Sequence, residues 1–321
     1  MQPFGPYLPD VAAFENAAAT VANNVVPDTR SYRPWPMFSS VSSALSEAVL
    51  GASSARRQTS RETYNFAGTG TKLYQLSTAG TAWNDVSRTV GGAYTTPGDG
   101  FWSFATFGDN VIACNFADAT QTFQLGVSSN FAALGGSAPK AQFTGIVRDF
   151  VVLASTSSNL SRIQWSAINN SADWVPSATT MSDYQDFPEG GVIMGFSGGD
   201  VGVVFCERSI YRMAFEGPPT IFRFDRIAAQ MGCRASRSIA AYENLIFFLS
   251  HDGFYMVRGA SEIVPIGVDK IDRWFADRAD LAIEGAVDHE DGGGDAGLER
   301  HPAGGVPRRL GARRGGGRGL E

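Results

Sequence analysis

A short apolar run, a turn of small or polar residues, and a second run bearing an aromatic recur five times in this chain, and this repeat constrains the fold more than any other feature. The copies are Tyr64–Ala67 with Lys72–Leu76, Val111–Cys114 with Gln121–Leu125, Phe150–Ala154 with Arg162–Trp165, Val203–Cys206 with Ser209–Met213, and Ile246–Leu249 with Phe254–Val257. The first run of most copies is apolar throughout, the pattern of a strand covered on both faces. The second runs alternate, as at Leu73/Gln75 and Ile163/Trp165, which suits a half-buried strand. An antiparallel hairpin of this kind cannot bury both of its faces by itself, so the copies must stack.

The copies are spaced by roughly 40 to 50 residues, the length of one four-stranded propeller blade. A further aromatic follows most copies at blade-like intervals: Trp83, Phe131, Trp174, Phe224 and Trp274. A large ring at that place is expected to fill the wedge between neighbouring blades. The expectation is an all-β protein: a β-propeller of four-stranded blades over residues 61–283, incomplete, preceded by an extended arm over 1–60 and followed by a disordered tail over 284–321. Blades left uncovered at a break would expose apolar faces, so the chain is expected to be marginally stable alone.

The arm holds Pro3, Pro6, Pro9, Pro27, Pro34 and Pro36, a density that opposes regular ladders. Val41 to Leu50 reads as a weak helical stretch. The apolar fraction of 43% is ample for a core. A net charge of −6 with no basic run in the body argues against a protein that grips phosphates; it suits a wall that DNA slides past, or an ordinary soluble surface. No stretch has the length and apolarity of a membrane span, and no signal peptide is evident at the N-terminus. Cys114, Cys206 and Cys233 stand far apart with no CxxC pair, which points to small buried residues instead of a zinc or redox site.

From Glu284 onward the composition shifts to Gly and Arg, and every residue can be encoded by a codon beginning with G or C. Such a run arises by chance about once in a hundred million. A shifted reading frame in a GC-rich gene produces this signature, and a segment of that origin has no selected core pattern, so disorder is expected. Asp288, Glu290 and Glu299 fall in a calcium-loop register with Gly293 at its sixth place, but Gly292 and Asp295 break the pattern.

Catalytic and metal centres are not expected. His251-Asp252-Gly253 fits a hairpin turn between Leu249 and Phe254, and the other histidines, His289 and His301, lie in the tail. Gly68-Thr69-Gly70-Thr71-Lys72 lacks the spacing of a phosphate loop and sits between strands. Asp183, Asp186 and Glu189 could form paired acids for glycoside hydrolysis but read better as a solvated loop.

The stretch Gln185–Ile193, leading into Gly202–Phe205 and Ser209–Tyr211, then Gly217, Gly232, Phe247–Ser250 and Asp252–Tyr255, resembles propeller proteins of the bacteriophage tail hub or nozzle, including the packaged-DNA stabilisation protein of short-tailed phages. Leu8-Pro9-Asp10, Asn24–Pro27 and Tyr32-Arg33-Pro34 are similar to the arm that precedes the propeller in such proteins. The resemblance covers roughly residues 5 to 283 and departs at the compositional break, where family members continue. It implies a non-enzymatic virion protein without cofactor or metal, assembled in the host cytoplasm. Its partners would be other tail and portal-associated proteins and further copies of itself in a ring. DNA would pass through a central channel without sequence readout, and no membrane insertion is implied. Tyr32, Arg33 and Trp35 would be subunit-interface residues of the arm. The alternatives are a carbohydrate-binding or glycan-cleaving propeller, which needs convergent carboxylates, and a scaffold propeller that docks peptides.

Overall fold

The structure is a computed structural model that describes residues 5–12, 14, 18–27, 32–35 and 39–277, with the backbone alone of two short segments at 283–285 and 310–312. Near the N-terminus β1 (Val25–Pro27) pairs antiparallel with β2 (Tyr32–Pro34). This pair lies in the arm, where the proline density predicts no ladder. It forms because Pro27 and Pro34 sit at strand ends, where a missing N–H does least harm.

Five four-stranded antiparallel meanders follow. Blade 1 is β3 (Gly51–Arg56), β4 (Thr63–Gly68), β5 (Leu73–Leu76) and β6 (Trp83–Asp85). Blade 2 is β7 (Ser103–Phe107), β8 (Asn110–Cys114), β9 (Gln121–Gln124) and β10 (Ala132–Ala133). Blade 3 is β11 (Ala141–Val147), β12 (Phe150–Thr156), β13 (Asn159–Trp165) and β14 (Asp183–Asp186). Blade 4 is β15 (Ile193–Ser197), β16 (Gly202–Cys206), β17 (Ser209–Gly217) and β18 (Ile221–Ala229). Blade 5 is β19 (Ala240–Tyr242), β20 (Leu245–Leu249), β21 (Phe254–Arg258) and β22 (Glu262–Pro265), and the helix α1 (Asp272–Ala276) follows it. The protein is thus all-β and built of propeller blades. The five hairpins of the sequence repeat are the two middle strands of each blade.

The chain divides into two compact units, one of residues 39–230 holding blades 1 to 4, the other of residues 1–38 and 231–321 holding the arm, blade 5 and α1. Blade 1 begins at Gly51, inside the stretch the sequence assigns to the arm. Val41–Leu50 is irregular, not helical. Glu47 accounts for the difference: its carboxylate accepts from the Thr71 N–H (3.1 Å) and hydroxyl (2.6 Å), and these tertiary bonds outweigh a weak local propensity. The tail expectation falls outside the described residues, apart from the backbone pairing of β23 (Ile283–Gly285) with β24 (Leu310–Ala312).

Within the four-blade unit each core lies between two sheets. Val111 and Ala113 of β8 join Phe66, Phe123 and Phe131 between blades 1 and 2, while Ile112 and Cys114 join Val151, Leu153 and Trp174 between blades 2 and 3. Val152 and Ala154 of β12 turn the other way, to Val204, Met213 and Phe222 between blades 3 and 4. A period of two on a strand buried on both sides makes each middle strand serve two cores. Phe131, Trp174 and Phe224 pack in these wedges as expected. Trp83 instead donates its indole N–H to Ser42, and Trp274 lies in α1.

Within the four-blade unit the first strands of successive blades lie side by side, and β3 is made of small residues, Gly-Ala-Ser-Ser-Ala, up to Arg56. A Cβ on Gly145 would stand 2.6 Å from the Phe196 ring of the next blade. Gly145→Val is therefore expected to lower stability by about 2 kcal/mol through overpacking. Gly98→Ala, in open space, should stay within about 0.5 kcal/mol of the parent. Urea unfolding of the two variants checks the contrast; equal midpoints would show that the inner strands tolerate bulk.

Candidate functional site

Three places in the chain concentrate polar chemistry: the turns after the first strands, a buried node between blades 1 and 2, and the clasp that holds the arm.

The turns after the first strands bond in pairs, that after β3 to that after β7 and that after β11 to that after β15. The Gln58 N–H donates to Asp109 Oδ1 (2.7 Å), the Arg148 N–H to the Gly199 carbonyl (3.0 Å), and the Gly199 N–H to the Ile146 carbonyl (2.8 Å). Arg148 takes φ of +51°, and its guanidinium lies 5.1 Å from the Phe215 ring centroid. An open groove of about 430 Å³ runs against these turns, lined by Gln58, Asp109, Asn110, Arg148, Asp149 and Asn169 among others. Two carboxylates, one guanidinium and three amides are a lining for polar or hydroxyl-bearing groups.

The node centres on Asp118, in the turn between β8 and β9. Its carboxylate accepts from Arg88 Nη2 (2.8 Å), the Thr95 N–H (2.8 Å) and Asn115 Nδ2 (2.9 Å). Burial opposes its ionisation, but the Asn115 amide, the Thr95 N–H and the Arg88 guanidinium outweigh burial and hold the carboxyl below its ordinary range. The Arg88 guanidinium also lies 4.5 Å from the Tyr94 ring centroid, and the Tyr94 hydroxyl bonds Gln121 Oε1 (3.1 Å). Burial lifts that phenol to about 12. Each member is bonded to another member, so the node is structural. In the sequence Asp118 lies in the turn between the two runs of the second repeat copy, and nothing in the repeat sets it apart.

In the other unit the arm is clasped to α1. Asp10 of Leu8-Pro9-Asp10 accepts from the backbone N–H of Arg273 (2.8 Å) and of Trp274 (2.7 Å), which the short helix leaves without partners of its own. The Asp10 N–H donates to the Lys270 carbonyl (3.2 Å), and Tyr7 meets Trp274 edge to face at 6.0 Å between centroids. Asp272 accepts from the Phe254 N–H and so ties α1 to β21. Burial, with Asp10 and Asp252 nearby, raises its pKa.

The three arm residues singled out from the sequence fall on or beside β2. The Tyr32 hydroxyl donates to the Gly5 carbonyl (2.9 Å), Arg33 is exposed, and Trp35 is 37% exposed with its backbone N–H donating to the Asn24 carbonyl (2.8 Å). The hairpin thus places part of an indole and a guanidinium at the surface.

The remaining sequence candidates have local partners. Arg162 grips Asp186 through two nitrogens at 2.7 and 2.8 Å, and this guanidinium holds the carboxyl low. Glu189 pairs with Arg226 at 3.3 Å, and Asp183 accepts from the Tyr184 N–H. Asp186, committed to a fork of two bonds, is poorly placed as a glycosidase acid, which needs a raised pKa. His251 is exposed in the turn closed by the Ser250 N–H to the Gly253 carbonyl (2.9 Å). The Gly68–Lys72 turn takes up the Glu47 carboxylate. All three thiols are buried, and burial pushes Cys206 to about 12 and Cys233 to about 11, leaving them unreactive as thiolates. Among the described residues no group of three or more His, Cys, Asp or Glu could hold a metal ion, and no helix is long and apolar enough to cross a membrane.

No protein-family model matches the chain, and no curated protein matches it. Several solved structures are similar in part. One is the extracellular domain of a protein described as a hybrid two-component system from B. thetaiotaomicron, at 9% identity over 70% of this chain and 28% of that one, TM-score 0.44. Another is PorZ, a surface component of the type-IX secretion system of Porphyromonas gingivalis, at 12% identity over 77% and 31%, TM-score 0.43. A third is the Pan2 WD40 domain of Neurospora crassa, at 9% identity over 62% and 59%, TM-score 0.38. The chain spans about three tenths of the length of the first two.

Asp118→Ala leaves the Arg88 guanidinium only the carbonyls of Gly91, Gly92 and Ala93 and takes the acceptor from the Thr95 N–H, and it should cost about 2 kcal/mol in urea unfolding. Because the folded carboxyl titrates below the unfolded one, the stability it contributes is full above about pH 4 and is lost as pH falls through the folded pKa. Asp118→Asn should therefore flatten that part of the acid limb, and an unchanged limb would mean the node is not what titrates. Separately, Asp10→Ala should cost about 1 kcal/mol and speed proteolysis of the arm, checked by limited trypsin digestion; an unaltered digestion rate would show that the cap does not hold the arm.

Proposed function

We propose that this chain is a structural protein of a bacteriophage tail hub or nozzle, in which propeller blades form part of the passage below the portal and no reaction is catalysed. The arm carries this reading. Leu8-Pro9-Asp10, a segment similar to the arm of those virion proteins, has a defined task here: it caps α1 and so fixes the start of the chain to the end of blade 5. The resemblance assigns contacts between copies in a ring to the β1–β2 hairpin that follows, where Arg33 and Trp35 lie at the surface. The other similar segments fall on the β14–β15 crossover, on β16 and β17, and on the β20–β21 hairpin, the parts of a blade that set its packing.

The charge fits the same role. A wall of net charge −6 holds few counterion-releasing contacts with duplex DNA, so the polymer passes without being read. In this proposal the partners are other tail and portal-associated proteins and further copies of the chain, and the place of action is the virion.

Mass spectrometry of purified particles tests it. Peptides from residues 39–277 are expected at several copies per portal ring in particles from a phage that encodes this sequence. Replacing Arg33 and Trp35 together by Ala should lower incorporation at least about tenfold in a variant whose circular dichroism shows that it still folds. Absence of the peptides from intact particles would overturn the proposal.

A further inference from the structure

The outer strands of the blades are short, with one exception. β6 has three residues, β10 two, and β14 and β22 four each, whereas β18 has nine. β18 pairs with β17 on one side, and among the described residues its other edge carries no backbone partner. A long open edge is a template for a further strand unless side chains block it.

The regular part of that edge is bounded on both sides. The register shifts between Ile210 and Tyr211, leaving Ile227 over, and again between Phe215 and Gly217 beside Ile221. Between the shifts lies Phe222–Arg226. Phe222 and Phe224 turn to the core, at 5.1 and 6.0 Å from the Trp165 ring. Arg223 and Asp225, two residues apart, therefore share the opposite face, with side chains 51% and 40% exposed. Within one chain they pair with each other at 3.0 Å, and Arg223 also reaches Glu216 at 2.6 Å.

The segment is complementary to itself. Laid antiparallel on a second copy about Phe224, Arg223 stands opposite Asp225 and Asp225 opposite Arg223, so both cross-strand pairs are attractive. Edge charges that serve only to repel would place like against like in that register. We propose that β18 pairs with β18 of a second copy of this chain across a two-fold axis at Phe224, joining two four-stranded blades into one eight-stranded sheet. Such an isologous contact needs no other surface to be self-complementary. The inference is independent of the tail reading, since it rests on the edge alone.

Mixing two charge variants of the full chain tests it. Arg223→Asp places Asp against Asp in a homodimer, and Asp225→Arg places Arg against Arg, whereas the mixed pair restores opposite charges at both positions. Native mass spectrometry with one variant isotopically labelled should show dimers of the parent, self-association weakened about tenfold in each variant, and mixed dimers close to the parent in affinity. Should either variant fail to fold, oxidation of the double variant Arg223→Cys/Asp225→Cys is the second measurement. Cysteines at i and i+2 on one strand are too far apart to join, so a covalent dimer must come from the cross-strand pairs. A parent chain monomeric up to about 100 μM, variants that self-associate as tightly as the parent, a mixture no tighter than its components, or an oxidised cysteine variant that stays monomeric would each overturn the proposal.

Discussion

No blade of the four-blade unit has a core of its own. Val111 and Ile112 are neighbours on one strand, yet they belong to different hydrophobic clusters on opposite faces of one sheet. The same division separates Val151 from Val152. Every other feature follows from this sharing. The middle strands must be apolar at each position, the first strands must carry small residues where blades meet, and the wedges need rings large enough to fill them. Fully burying one such side chain contributes about 2 kcal/mol, but only when the neighbouring blade is in place.

Apolar faces alone would let blades slide, and directional bonds fix their offset. Asp118 gathers donors from the connection that follows blade 1 and from its own turn in blade 2. The Gly199 backbone both donates to and accepts from the Ile146–Arg148 segment. Glu47 and Asp10 play the same part for chain that has no sheet to belong to, one tying down the approach to blade 1 and the other capping α1. In all these cases a carboxylate or carbonyl meets backbone N–H groups that the ladders leave over, so fixing the offset also satisfies buried polar groups.

The blades are legible in the sequence because a strand with two covered faces leaves an unbroken apolar run, and five such runs at a near-constant period are what stacked blades require. The first and fourth strands are not. β3 reads Gly-Ala-Ser-Ser-Ala-Arg and β10 is two alanines; neither shows an alternation, because close approach and not burial selects their residues. Val41–Leu50 misleads for a related reason: its local propensity is weak and Glu47 has a partner far along the chain. Trp102, whose indole N–H donates to the Thr69 carbonyl and whose ring packs against Gly68, falls outside the repeat of closing aromatics. The arm is recognisable as a segment, but the cap made by Asp10 joins residues more than 260 positions apart, and no pattern in one sequence reveals such a bond.

The connections differ in what they tolerate. Between β13 and β14 the chain makes an excursion over Ser166–Ser182, while blade 2 closes with an outer strand of only two residues. Within the four-blade unit the turns after the first strands are bonded in pairs, that after β3 to that after β7 and that after β11 to that after β15. The excursion has two fixed points, the Asn169 N–H on the Asp149 carbonyl and Trp174 in its wedge, and length can vary between them without disturbing the inner strands, whereas a single residue inserted between Ile146 and Arg148 would shift the bonds to Gly199. Each blade of this unit has a fixed gauge at its inner strand and a variable fringe at its outer one, and new surface loops in its descendants should accumulate on the fringe.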